Sequence, residues 1–181
     1  MFRDWEIKIS GTGGQGVVVA GEILCRGIVL KNYNASVIPS YGSQVKGGCV
    51  EVQIIISKDF IPAPFVSELN ILCALSQIGY DNNLNLIKDE TIVFYDDILV
   101  KEIKNIGKNI PIPAAKYCLE NFNTTLPVNL FFVGVLAGFL KDYLEISHLE
   151  KILEEDKKLF SEINLKTLKA GYLYFKEKEV L

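Results

Sequence analysis

The residues best suited to chemistry stand near the start of the chain, in Gly11-Thr12-Gly13-Gly14-Gln15-Gly16. Gly11, Gly13 and Gly16 have the G-x-G-x-x-G spacing, in which glycines permit positive backbone torsions and close approach to a ligand. A helix that opens directly after such a turn leaves its first N–H groups unpaired, and these attract phosphate. The same glycines also suit a tight strand-to-helix turn with no ligand, so this motif alone leaves both uses open. A second glycine loop runs from Ser40 through Tyr41, Gly42, Ser43, Gln44, Val45, Lys46 and Gly47 to Gly48. Its tyrosine and lysine could clamp a phosphate-bearing ligand. Alternatively, Gly47 and Gly48 are hairpin glycines and Lys46 is simply exposed.

Other chemistries find little material. His148 is the single histidine and lies among charged residues, as a surface histidine on a helix would, so catalysis built on a histidine base has almost nothing to work with. The 4 cysteines, Cys25, Cys49, Cys73 and Cys118, form no C-x-x-C pair of the kind that ligates zinc or an iron–sulfur cluster. They read as reduced, mostly buried thiols. A dinucleotide site would want an Asp or Glu at the end of the second strand to hold the ribose. Val37-Ile38-Pro39-Ser40 supplies none, which demotes an NAD(P)-binding oxidoreductase acting alone.

The elements that must position the loops follow from pattern. Glu6 to Ser10 predicts a strand and Val17 to Leu30 a helix with an apolar face, a Rossmann-like first βα unit. Asn32 and Asn34 stop the helix, and Ala35 to Ile38 is a second strand that Pro39 ends. Cys49 to Ile56 is a third strand, and with no helix before it an antiparallel, hairpin-like pairing is expected. Leu69 to Leu75 and Thr91 to Tyr95 read as further strands, with a helix over Ile78 to Lys88 between them. Ile98 to Pro113 reads as a strand or loop near the sheet edge.

Beyond that the chain reads as helical over Ala114 to Asn121, Val128 to Leu140, Ser147 to Asp156 and Ser161 to Lys176. Ser147 with Glu150 fits a capping box. The expected fold is α/β, a three-layer α/β/α sandwich on a mixed, mostly parallel sheet of about five strands, formed by one domain over residues 1–181.

Composition agrees. The 181 residues are 49% hydrophobic and 23% charged, which excludes a disordered chain. A net charge of −3 with dispersed lysines gives no footprint for nucleic acid. The apolar stretch from Leu126 to Leu140 is interrupted by Pro127 and Asn129 and falls short of the roughly 20 residues a membrane span needs. The N-terminus carries charges of both signs where a signal peptide would start basic and turn apolar, so a cytoplasmic location is expected.

Taken together, Gly11-Thr12-Gly13-Gly14-Gln15-Gly16-Val17, Ala20-Gly21, Pro39-Ser40-Tyr41-Gly42 and Lys46-Gly47-Gly48 resemble the gamma subunit of 2-oxoacid:ferredoxin oxidoreductases. Ile56-Ser57, Ile61-Pro62-Ala63-Pro64, Leu75-Ser76-Gln77 and Asn129 fall in that family's order, so the resemblance spans nearly the whole chain. It implies a subunit of an enzyme that oxidatively decarboxylates a 2-oxoacid to acyl-CoA and passes electrons to ferredoxin or flavodoxin. It further implies that thiamine diphosphate and iron–sulfur clusters sit on partner alpha, beta and ferredoxin-like subunits, while this domain contributes to the coenzyme A site. Gly11, Gly13, Gly14, Gln15 and Gly16 carry over as the coenzyme A loop, with Gln77 and Asn129 as further candidates.

One departure stands in the second loop. Ser43 and Gln44 replace the family's Pro-Glu pair, and Lys46 replaces its arginine. Lysine does not reproduce a bidentate arginine contact, so the 2-oxoacid, whether pyruvate, 2-oxoglutarate, a branched-chain or an aryl one, is left open. The rival reading from another class is a scaffold subunit whose glycine loops only turn the chain.

Overall fold

Strand β1 (Trp5–Thr12) lies inside a 6-stranded sheet of order β2-β3-β1-β4-β5-β6. The computed structural model describes residues 5–42, 48–159 and 161–178. The other strands are β2 (Asn34–Tyr41), β3 (Cys49–Ser57), β4 (Ile71–Ala74), β5 (Ile92–Asp96) and β6 (Lys108–Ile112). β3 is antiparallel to both β1 and β2, whereas β4, β5 and β6 continue parallel from β1. Only β3 is reversed, because its short link to β2 permits a hairpin and nothing else. The expected mixed sheet is present with six strands instead of five. The extra one is β6, an edge strand inside the segment that pattern left as strand or loop.

Pro39 does not end β2. It stays in the ladder opposite Val52, on a strand whose outer edge pairs with nothing in the sheet, and an edge strand tolerates the missing N–H.

Helix α1 (Val17–Leu30) follows β1 and packs closely on β2 and β3. A Cβ on Gly21 would meet Val52 Cγ2 at 2.8 Å. The same face carries α4 (Val128–Phe139), α5 (Ile146–Glu155) and α6 (Glu162–Lys178), while α3 (Ala114–Phe122) adjoins α4 and α6. α4 is buried along almost its whole length because it is sandwiched by its own chain. Gly171 lies so close to Phe131 that any side chain there would strike the Phe131 carbonyl, and Gly134 meets α6 in the same way.

The opposite face is covered more thinly, by α2 (Gln77–Asp81) and the 3-10 turn Leu84–Leu86. Residues of β4 alternate between the two layers, Ile71 and Cys73 in the larger core and Leu72 and Ala74 in the smaller. The helix expected over Ile78 to Lys88 is thus cut short. Asn83 is the cause: its amide is drawn to Gly79 O, Glu51 and Lys8 and leaves the helical course. Ile87 is buried as expected, and Leu84 half-buried.

The capping box at Ser147 is not formed. α5 starts one residue earlier, at Ile146, with Glu145 before it, because Leu144 and Leu149 both seat against Gly27 of α1 and fix where the chain enters. His148 is half-buried near Glu145, with its Nε2 4.0 Å from that carboxylate.

Candidate functional site

The turn between β1 and α1 is built from glycines with different jobs. Gly16 precedes the helix in the left-handed conformation at φ 68°, and Gly14 has φ 92°, both torsions that favour glycine. A Cβ on Gly11 would strike Gln15 Oε1 at 2.5 Å, and one on Gly16 would strike Asn129 Nδ2 at 2.5 Å. Those two positions are therefore explained by packing. Gly13 and Gly14 are not, since a Cβ at either meets nothing within 4 Å. The turn is bare on its outer side at the middle of the motif. No side chain caps α1, and its first turn carries no acid, so its leading N–H groups are left without a side-chain partner.

Two side chains hold the turn in shape. Gln15 folds back, its Oε1 accepting from Thr12 N at 2.6 Å and its Nε2 donating to Leu75 O at 2.8 Å, which ties the loop to the end of β4. Asn129, buried in the first turn of α4, donates to Gly16 O at 3.0 Å. Ser76 ends the same β4 connection, and its Oγ accepts from Gly79 N at 3.3 Å to open α2. Gln77, next in sequence, is turned elsewhere. Its Oε1 accepts from Lys101 N and Glu102 N and its Nε2 donates to Glu102 O, so it fastens the 97–107 segment.

The two glycine loops meet. Gly13 N donates to Gly48 O at 3.3 Å, and Gly42 N donates to Cys49 O at 2.7 Å, closing the β2–β3 hairpin. Ser40 and Tyr41 are part of β2, with the Tyr41 ring exposed. Together with Gly42, Cys49, Glu51 and Asn82 they line a cavity of about 290 Å³. Lys46 and Gly47, like Ser43 and Gln44, lie outside the described residues. The structure therefore gathers Gly11 to Gly16, Ser40 to Gly42, Gly48 and Asn129 at one end of the sheet and gives Gln77 a separate task.

Sequence reasoning missed a polar cluster beneath these loops. Lys8 Nζ lies 2.9 Å from Glu51 Oε2, and Asn83 links to both. The signal was present as alternation: Ile7-Lys8-Ile9-Ser10 and Val50-Glu51-Val52-Gln53 place polar side chains on one sheet face. The antiparallel register that sets Ser10 opposite Glu51 is what brings them together.

All 4 cysteines are free and buried, and burial pushes the Cys25 thiol up to about 12, the Cys118 thiol up to about 11 and the Cys73 thiol higher still. At the C-terminal end of β5, Asp96 is buried and accepts from Ala115 N at 2.7 Å, Leu99 N at 2.9 Å and Ile98 N at 3.0 Å.

A family model described as pyruvate ferredoxin/flavodoxin oxidoreductase matches residues 6–174. The chain is 30% identical to the 2-oxoglutarate synthase subunit KorC of Archaeoglobus fulgidus, over 95% of this chain and 88% of that one. It is 32% identical to the KorC subunit of Methanocaldococcus jannaschii, over 95% and 94% of the two chains. Ketoisovalerate oxidoreductase subunit VorA of Methanothermobacter thermautotrophicus is 25% identical over 97% of this chain, which spans only 37% of that longer relative.

Among solved structures, the gamma subunit of a keto/oxoacid ferredoxin oxidoreductase from Geobacter sulfurreducens superposes with a TM-score of 0.82 at 22% identity, covering 97% and 98% of the two chains. A 2-oxoglutarate:ferredoxin oxidoreductase from Magnetococcus marinus, with 2-oxoglutarate, coenzyme A and succinyl-CoA bound, gives 0.86 at 21% identity over 97% of this chain and 31% of its own. At those identities the two structures establish the fold.

Proposed function

The chain belongs to the pyruvate ferredoxin/flavodoxin oxidoreductase family, and from that premise we propose that it works as the gamma-type small subunit of a 2-oxoacid:ferredoxin oxidoreductase, with the turn between β1 and α1 forming part of the coenzyme A site. The bare outer side of Gly13 and Gly14, beside the uncapped start of α1, carries the ligand assignment. Coenzyme A brings a diphosphate, and backbone N–H groups at a glycine turn suit it without any side chain. Gln15 and Asn129 would hold the turn open for it, and Tyr41 would flank it from the end of β2.

Residues 1–181 act as one unit of a cytoplasmic complex. No helix of the described residues is long and apolar enough to cross a membrane. Thiamine diphosphate and iron–sulfur clusters belong to alpha, beta and ferredoxin-like partner subunits, in keeping with the scattered cysteines, and ferredoxin or flavodoxin is the acceptor. The two relatives named for 2-oxoglutarate make it the first 2-oxoacid to assay.

A second reading is a pure scaffold subunit. The packing of Gly11 and Gly16 and the positive torsion of Gly14 favour it, because they account for three of the loop's four glycines without a ligand. Purification of the native complex, mass spectrometry of its subunits and calorimetric titration with coenzyme A separate the two. The proposed function requires thiamine-binding and cluster-binding partners and saturable coenzyme A binding that Gly13 or Gly14 substitutions weaken. Binding indifferent to both positions leaves the scaffold.

A further inference from the structure

The buried polar cluster under the loops has no part in the function as described so far. Lys8 and Glu51 pair at 2.9 Å with side chains only 9% and 16% exposed. The other carboxylate oxygen, Glu51 Oε1, accepts from Asn83 Nδ2 at 2.6 Å, from Ser10 Oγ at 3.2 Å and from Cys49 Sγ at 3.8 Å. Ser10 Oγ and Cys49 Sγ lie 3.3 Å apart, and Lys8 Nζ also donates to Asn83 Oδ1 at 2.7 Å. A buried ion pair is poor support for stability, since apolar residues of similar volume often do as well or better. Its placement is more informative. Ser10 immediately precedes Gly11, and Cys49 immediately follows Gly48, so one carboxylate grips the roots of both glycine loops.

We propose that Glu51 is a positioning residue of the ligand site, holding the two loops in the register in which Gly13 N meets Gly48 O. This rests on the coenzyme A reading above. Glu51 lines the cavity beside the loops, where a bare carboxylate would repel a phosphate-bearing ligand. Lys8 cancels that charge while leaving the carboxylate's acceptor geometry intact. Asn83 fixes the same group from the α2 side, so the three anchors belong to different elements and none can shift alone.

The test uses the assembled complex, with the coenzyme A dissociation constant from calorimetric titration, the melting temperature, and KM and kcat for coenzyme A. Glu51→Gln turns one acceptor oxygen into a donor facing Lys8 or Asn83, and the dissociation constant should rise roughly tenfold or more while kcat at saturating coenzyme A stays within about twofold. The pair Lys8→Met/Glu51→Leu removes both charges and both loop anchors. Its melting temperature should return to the wild-type value or above, yet its affinity should stay low. Gly14→Val is the control for the ligand assignment. If Gly14→Val weakens binding and Glu51→Gln does not, the positioning role is wrong. It is equally wrong if affinity recovers together with melting in the double variant, as a merely structural pair would do. If Gly14→Val leaves affinity unchanged, the coenzyme A site is not here and the inference falls with it.

Discussion

The Asn129 amide donates to the Gly16 carbonyl across 3.0 Å, so the first turn of α4 holds the left-handed residue that opens α1. Residues 113 positions apart in sequence thereby share one corner of the fold. Asn129→Ala should lower stability by about 1 to 2 kcal/mol, because Gly16 O loses a buried partner. Gly16→Ala should cost at least as much, from its torsion and from the collision with Asn129. Urea unfolding of the two single variants and their double checks this. The double should cost less than the sum, since removing Asn129 makes room for the new methyl.

Phe132 lies fully buried in α4 among residues of its own chain. Pattern placed a helix over Val128 to Leu140, whose apolar side chains leave it no polar stripe. The packing of α4 against α6 supplies its cover from within the chain. Phe132→Asp should therefore unfold the isolated chain, at a cost on the order of 5 kcal/mol, comparable with a domain's entire stability. Circular dichroism of the lone variant decides it. A normally melting chain would show that α4 is not in the core.

Gly171→Ala tests the α4–α6 contact directly. The added methyl would strike the Phe131 carbonyl, a rigid backbone atom, so the helices must separate. A loss of about 1 to 3 kcal/mol is expected by thermal or urea unfolding.

Burial raises the Asp96 carboxyl above the ordinary carboxylate range, against the pull of the Ala115, Leu99 and Ile98 N–H groups. A carboxyl raised in the folded state binds its proton more tightly there than in the unfolded chain. Its contribution to stability is thus full below the unfolded-state value and is lost as pH rises through the folded one. Relative to Asp96→Asn, which cannot titrate, the wild type should gain stability as pH falls from neutral towards the ordinary carboxylate range. Melting curves of both proteins across that interval show the trend or its absence.

Much of this arrangement was legible in the residues. Apolar runs and the glycine turn give β1, α1 and the hairpin, and the length and lack of polar stripe give α4. What the sequence hid were choices made by tertiary contacts. Asn83 ends α2, where its amide accepts from a lysine on one strand and donates to a glutamate on another, and Pro39 stays in β2 because that strand is an edge. The glycine motif was visible at once, yet its division into packed Gly11 and Gly16 and open Gly13 and Gly14 needed the positions of Gln15 and Asn129. Gln77 belongs to the family order of residues but spends its amide on Lys101 and Glu102.

The most direct test is the coenzyme A affinity of the assembled Gly14→Val complex. A β-branched residue is strongly disfavoured at φ 92°, and its side chain would fill the bare outer side of the turn. Under the proposed division of labour, thiamine-dependent chemistry lies on partner subunits and is left alone, so 2-oxoacid-dependent release of carbon dioxide in a single turnover should persist. The coenzyme A concentration needed for acyl-CoA formation should rise roughly ten- to a hundred-fold, the loss of one charge-assisted phosphate contact of about 1.5 to 3 kcal/mol. An unchanged coenzyme A affinity in a stably assembled variant would contradict the account and leave the loop as a turn alone.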